Sequence, residues 1–592
     1  MPADSVQQPK IQNHTNIVLT QLDEEVLILL FATYKRLVLK AEFGGGFGGG
    51  RVLLVRPIST NGADLPTVVK LGPADIIQEE WQAFARYVAN KVPKVARVEG
   101  EPVFTPDERW GAVRYPLAGD GRFHCESLGA FSLKMPATDV SYVLRQQLFP
   151  SLGTLWEATN VIPEFFLARS LDAILPVNLV LSYRANSPTA AMLQRHQDIK
   201  IGQDVILSNY VVTEVDHQAQ ELTLDLPADE DDERPGGFRL RVKDVLDTTH
   251  FKAGELLPNL LIGRVEATRN SLLQTLVEDA FDRRIDLSQR EINVPDVGNL
   301  PSPVAHLTNT LRKTEDVRVG VVHGDLNLEN ILVEYDQQSR NIYLIDFARA
   351  RTDWILHDLL RLETSFWLYL VSSEMRRNGR SLADIESMLL ALHLDAEPTI
   401  DGLEKPLQVL KTVRARARMY LVNHDNWTEY YQGLIVYLLG ALKFKNLDKH
   451  PTAPLPKQVA FVAAATLQKL SDPAQNFAIE QPELTPSKQE NGPNPREQIN
   501  DEPQIPTIAQ PVFTEASVSN LRHDYLAILN NKFSESELKD VCFRLNVNYE
   551  DLPGASRRDK GRELIMFLER RSMLHQLPQT IQKIRPDIEL PS

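Results

Sequence analysis

Two short apolar runs stand close together in the second half of the chain, residues 331–335 and 342–345. Neither shows the three-to-four-residue recurrence of a helix, and a polar stretch separates them, so they predict a hairpin of two buried strands. Upstream, residues 51–56 and 67–71 read as strands, and residues 110–119 as an extended stretch that closes in turn residues. Residues 74–89 follow the helical period instead. At about 100° per residue, Ile77, Trp81, Phe84 and Val88 share one face, with Glu80 on its shoulder and Glu79 nearly opposite.

From residue 179 to 265 the pattern turns β-rich. Residues 203–213, 221–226 and 237–242 predict three successive strands separated by polar turns, a small sheet or barrel with one wet face. Helical sequence resumes over 266–283 and dominates 403–470, where Arg414, Arg416 and Arg418 predict a regularly spaced basic surface. Residues 471–513 are rich in Pro, Gln, Asn and charge; they cannot bury a core and predict a flexible linker. Helical periodicity returns in 514–592. Leu521, Tyr525, Leu526 and Leu529 mark one helix, and Ser534 with Glu537 forms a capping box ahead of Leu538, Val541, Cys542 and Leu545. Ser556 and Asp559 precede a third apolar stripe, Leu564, Ile565, Phe567 and Leu568.

Composition narrows this picture. A chain of 592 residues has room for two to four domains, and its net charge of −15 gives no support to a general nucleic-acid binder. Cys125 and Cys542 are too few and too far apart for a disulfide framework or a zinc cluster, and Cys542, among apolar helix positions, reads as packing. The apolar stretch 17–39 is broken by Asp23, Glu24, Glu25, Lys35 and Arg36, so no membrane span is predicted. The expectation is a cytoplasmic protein.

The candidate chemistry gathers around the predicted hairpin. Asp325 and Asn330 share the loop before its first strand, and Asp346 follows its second, so the hairpin returns Asp346 to that loop. Asn330 and Asp346 would offer hard oxygen ligands to Mg2+, leaving Asp325 as a separate carboxylate to receive a proton from an acceptor hydroxyl. His323 and Gly324 suit the loop frame. Upstream, the glycine run containing Gly45, Gly46, Phe47 and Gly48 permits close backbone approach to phosphate, although alone it could equally be a surface loop. Lys70 interrupts a β-type run and could reach nucleotide phosphates if a carboxylate held it, and Glu80 is the chosen partner. Backbone groups near Tyr115 and Leu117 would meet the adenine edge, since Pro116 has no N–H to give.

The order of these elements, with HGDLNLENIL and LIDFA, resembles the protein-kinase-like superfamily, especially its aminoglycoside and choline phosphotransferase branch. GGGFGGGRVLLVRP and the accompanying domains make residues 39–470 similar to the ternary complex associated kinase-like domains of bacterial signalling and conflict systems. The resemblance implies an α+β, bilobal protein-kinase-like fold that uses ATP and Mg2+. It assigns Asp325 as base, with His323 bracing its loop, and Asn330 and Asp346 as metal ligands. Lys70 would be the phosphate contact, Glu80 its orienter and Asp358 the carboxylate that supports the loop. Asn327 and Ala348 depart from the branch's usual histidine and glycine, and no activation segment ending in A-P-E is present.

The implied organisation is an N-terminal extension at 1–38, an N-lobe at 39–118 and a C-lobe at 119–184 and 265–470, interrupted by an inserted β domain at 185–264. Beyond the linker, YEDLPG and ELIMFLERR make 514–592 resemble the effector-associated domain family, type seven. That resemblance implies a death-like helical adaptor recruiting a protein partner with a matching domain. The leading expectation is a phosphotransferase acting on a hydroxyl of a protein or small molecule. The alternatives are an inactive nucleotide-binding scaffold and a nucleotidyl transferase; retention of Lys70, Glu80, Asp325, Asn330 and Asp346 favours catalysis.

Overall fold

A computed structural model describes residues 8–471, apart from 44–49, 61, 65, 90, 92–99, 117–123, 158, 195–198, 229–235, 337–338 and 397–399, together with much of 525–585. The predicted linker therefore lies outside the described residues. The chain divides into two compact units, 1–484 and 485–592.

The first unit opens on a mainly antiparallel sheet in the spatial order Lys10–Asn13, Arg36–Phe43, Arg51–Ser59, Thr67–Pro73, Trp110–Pro116 and Val103–Phe104, with Gly62–Ala63 off the third strand. The expected N-terminal extension is integral to this sheet. Lys10–Asn13 pairs in parallel with Arg36–Phe43, and Val26 and Leu27 of helix Gln21–Leu30, with Phe31 just past its end, enter one apolar core with Leu39, Leu53 and Val69. Asp23, which breaks the apolar run in sequence, completes a capping box with Thr20 and accepts from Arg51 and the Trp110 indole. Its charge marks the helix start rather than an exposed surface.

Across from this sheet, the predicted hairpin is present as Ile331–Tyr335 paired with Arg340–Leu344, joined by His124–Ser127 as a third strand. Leu332, Tyr343 and Ile345 bury against Val68, Ile77, Val113 and Tyr115, so one apolar cluster joins the hairpin to the N-terminal sheet. A second three-stranded sheet, Asn160–Phe166, Thr314–Val322 and Arg351–Trp354, leads into the loop that carries Asp325. Around it pack helices Phe149–Trp156, Leu356–Phe366, Glu404–Arg418, Thr428–Ala441 and Leu455–Leu470 in one large core.

Helix Glu404–Arg418 corrects the expected basic surface. Arg414 is buried and donates to both Glu363 carboxylate oxygens, while Arg416 lies over Phe149, Trp156 and Tyr420. Arg414 and Arg416 point inward because an acidic partner and aromatic faces receive them, whereas Arg418 stays exposed and pairs with Asp425.

The β-rich segment forms a seven-stranded sheet with its own core of Leu181, Val205, Leu222, Leu240 and Val265. It extends beyond 185–264 to include Leu179–Arg184 and Leu261–Thr268, which pair antiparallel, and the following helix starts only at Arg269. The single strand expected at 203–213 is two, Asp204–Leu207 and Val211–Asp216, interrupted where Asn209 takes a φ of 61°. Asparagine tolerates that left-handed conformation, and the buried positions change parity across it, from Val205 and Leu207 to Tyr210 and Val212. At the base of the sheet Asp172 receives Arg239 and Arg269 at 3.1 and 2.6 Å.

The second unit contains helices Glu535–Arg544, Arg557–Arg570 and Leu577–Ile584 around Tyr525, Leu529, Leu538, Val541, Leu564 and Leu568. Ser534 and Glu537 form the expected capping box. Cys542 is fully buried in this core, and burial raises its thiol pKa to about 11, which suits packing rather than nucleophilic chemistry. Leu521, Leu526 and the Phe567 side chain lie outside the described residues.

Candidate active site

Lys70 is placed by strand Thr67–Pro73, whose two neighbours cover its backbone and leave its side chain running toward the hairpin Ile331–Leu344. Its Nζ lies 2.6 Å from Glu80 Oε2 and 2.6 Å from Asp346 Oδ1. Burial alone would depress the ammonium, but the two carboxylates reverse that effect and hold Lys70 above the ordinary lysine range. Burial also lifts Glu80 above its ordinary range against the pull of Lys70. We treat the pair as charged, because the ammonium faces two carboxylates at contact distance.

Glu80 is fully buried rather than on the shoulder of its helix, and Trp81, expected on the apolar face, is only half-buried. The reason is the lysine: an ion pair beneath helix Ala74–Ala83 draws the carboxylate inward. The helix widens into a π-turn over Phe84–Val88, carrying Phe84 onto Phe347, which in turn stacks on His323 at 4.5 Å between ring centroids.

Tyr115 contributes something its backbone position does not suggest. Its hydroxyl donates to Glu80 Oε1, and its carbonyl accepts from Thr67 Oγ1 at 2.9 Å. Leu117, Gly45, Gly46, Phe47 and Gly48 lie outside the described residues. The last glycine of that run, Gly50, packs against the lysine strand, where a Cβ would stand 3.1 Å from the Leu71 carbonyl.

The loop carrying Asp325 is held from below by Asp358, in the first turn of helix Leu356–Phe366. Asp358 is fully buried and accepts from the backbone N–H of His323 at 2.8 Å and of Gly324 at 2.9 Å, and from the Trp156 indole at 3.0 Å. Gly324 has a φ of 83°, and a Cβ there would collide with the Arg349 carbonyl. Both facts reserve the position for glycine. His323 reaches across to the Ile345 carbonyl through Nε2 at 3.0 Å.

Asn327 caps the short turn Leu328–Asn330 by accepting from the N–H groups of Glu329 and Asn330. This gives a polar loop residue a local task that histidine is not needed for. The Asn330 amide nitrogen donates to the Asp325 carbonyl at 2.9 Å, which turns its Oδ1 away from that bond. The Asn330 carbonyl accepts from Ile345 N at 3.1 Å, tying the loop to the residue just before Asp346. Asp346 itself takes a φ of 65°, so the turn that glycine often relieves is made by an aspartate, a residue that tolerates this region.

Asp325 is paired with Arg361, Nε to Oδ1 at 2.7 Å. Burial pushes the Asp325 carboxyl up, but Arg361 and hydrogen bonds outweigh it, leaving Asp325 below the ordinary aspartate value and ionised at neutral pH. Sequence reasoning missed Arg361. The signal was an arginine three positions after Asp358, and therefore on the same face of the helix. Among the described residues no group of three or more His, Cys, Asp or Glu side chains could cage a metal ion, and no helix is long and apolar enough to cross a membrane.

No curated protein matches the chain. Among solved structures, a thermostable mutant of aminoglycoside phosphotransferase APH(4)-Ia in ternary complex with ADP and hygromycin B is 11% identical, with a TM-score of 0.32 over 75% of this chain and 97% of that one. Amicoumacin kinase hAmiN, in complex with AMP-PNP, Ca2+ and Ami, is 12% identical with a TM-score of 0.28, covering 73% of this chain and 91% of the other. The effector-associated domain 7 family matches residues 522–586, so the chain carries such a domain at its C-terminal end. The ternary complex associated domain 9 family matches residues 35–443, which takes in the glycine run, Lys70, the inserted sheet and the Asp325 loop, and the chain belongs to that family.

Proposed function

We propose that this protein is an ATP- and Mg2+-dependent phosphotransferase of bilobal, protein-kinase-like build. It transfers the γ-phosphoryl group to a hydroxyl of a protein or small molecule, and its death-like C-terminal domain recruits a partner. The observation that carries the reading is the meeting of Lys70, Glu80 and Asp346 across 276 positions of sequence, beside a loop presenting Asp325 and Asn330. A helical scaffold has no need for a buried lysine shared between two carboxylates.

The donors fit the expected groups. Magnesium is commonly held by one or two protein oxygens together with nucleotide phosphates and water, so a three-carboxylate cage is unnecessary. Asp346 has one oxygen on Lys70 and a second to offer, while Asn330 uses its amide nitrogen internally and keeps its Oδ1. When bound, the ion would neutralise charge developing on the transferred group. Lys70 would exchange its contact with Asp346 for nucleotide phosphate while Glu80 and Tyr115 keep it oriented. Asp325, ionised and separate from Lys70, would accept the proton of the attacking hydroxyl as the new P–O bond forms and ADP departs.

Incubation of the purified chain and its candidate partners with ATP labelled at the γ or the α phosphate tests this directly. Label appearing on an acceptor from γ-labelled ATP alone supports phosphoryl transfer. Label from the α position assigns nucleotidyl transfer, and binding without either assigns a scaffold.

A further inference from the structure

Helix Leu356–Phe366 touches the catalytic loop twice. Asp358 takes the backbone N–H groups of His323 and Gly324, and one turn later Arg361 takes the Asp325 side chain. Every residue of this helix is buried, so it offers a fixed platform. Arg361 is 8% exposed, and its guanidinium lies over the Phe444 ring with 5.2 Å from Cζ to the centroid. A planar guanidinium suits both contacts at once, an in-plane N–H to a carboxylate and a face on an aromatic ring; a lysine ammonium supplies charge without that geometry.

We propose that Arg361 is a positioning residue for transfer. It fixes the rotamer of Asp325 through Oδ1, and Phe444 fixes the plane of Arg361. Helix Leu356–Phe366 and the turn after Ala441 would then set the direction from which the carboxylate meets the acceptor hydroxyl. This rests on the phosphotransferase reading, because it assigns Arg361 a task in that reaction. A purely structural ion pair would make a different prediction: substitution would lower stability and ATP affinity together and would not depend on whether Asp325 can act as a base.

The test follows total consumption of γ-labelled ATP in single turnover, summing transfer to water, to the chain and to added acceptors, with ATP affinity measured in parallel by calorimetry. Arg361→Gln is expected to slow consumption about 10- to 100-fold, the scale of a misplaced reacting group, with the ATP Kd held within about twofold. Arg361→Lys should recover part of the rate, and Phe444→Leu should lose a few-fold. On an Asp325→Asn background Arg361→Gln should cause no further loss, and that double variant also avoids leaving a buried carboxylate without its partner.

A wild-type rate in Arg361→Gln, or losses that multiply in the double variant, overturns the inference while leaving the phosphotransferase reading intact. If Arg361→Gln does not fold, wild-type rates in both Arg361→Lys and Phe444→Leu overturn it equally. A wild-type chain that binds Mg-ATP but never consumes it overturns both.

Discussion

Lys70 Nζ lies 2.6 Å from Asp346 Oδ1, joining the N-terminal sheet to the residue that follows the hairpin Ile331–Leu344. Together with Glu80 this makes a buried charge cluster whose members depend on one another, and breaking one side leaves a carboxylate uncompensated.

Lys70→Met should therefore destabilise the first unit by about 3–5 kcal/mol, because Glu80 loses its cation in a fully buried place. Pairing it with Glu80→Gln should restore part of that loss. Denaturant midpoints of the two single variants and the double variant check this, and equal midpoints for wild type and Lys70→Met would show that the cluster carries no stability.

Asp346→Ala is expected to weaken Mg-ATP binding and abolish turnover while the fold persists. Titration calorimetry with and without Mg2+ reads the effect. Metal-dependent affinity equal to wild type would remove Asp346 from the ligand set.

Asp325→Asn should keep ATP affinity within a few-fold and cut the chemical rate by roughly 100-fold or more, the scale of a lost positioned base. Arg361 would then face a neutral amide, which still accepts a hydrogen bond, so folding should survive. Single-turnover transfer near the wild-type rate would refute the base assignment.

Glu429 sits away from this cluster, accepting from the Trp354 indole at 3.0 Å and from Val422 N at 3.1 Å. Burial raises its pKa to about 7, above the ordinary 4.5, despite those two donors. A raised carboxyl pKa favours the protonated native state, so its contribution is fully present below about 4.5 and lost as pH rises through about 7. Glu429→Gln keeps the site neutral. Its NH2 cannot accept from one of the two donors, which costs stability at every pH, but its thermal midpoint relative to wild type should rise from pH 5 to pH 8 by on the order of a few degrees.

Deleting residues 514–592 should leave ATP binding and basal transfer largely intact and abolish association with a partner carrying a similar helical domain. Tethering raises the partner's effective concentration without requiring any change at the catalytic loop. Pull-downs with full-length and truncated chains decide it; identical recoveries would rule out an adaptor role.

Local order in the sequence made the hairpin Ile331–Leu344 legible. An apolar run, a polar turn and a second run require only neighbouring residues to be read, and the Ser534–Glu537 capping box is equally local. The inward direction of Arg414 was not legible, because it depends on Glu363, 51 positions away. The same holds for the Tyr115 hydroxyl on Glu80 and for Arg361 on Asp325: each residue type is ordinary at its own position and gains a task only through a remote partner. The break at Asn209 was hidden for another reason: apolar residues flank Ser208 and Asn209 on both sides, so the run reads as one strand although its buried parity shifts there.

The seven-stranded sheet enters through Leu179–Arg184 and leaves through Leu261–Thr268, and Arg184 lies directly opposite Ile262. Everything between starts and finishes at adjacent points, as the contents of a hairpin loop do. The chain thus leaves and rejoins the rest of the first unit at one place, and the five strands between close their core on the two that carry them in and out.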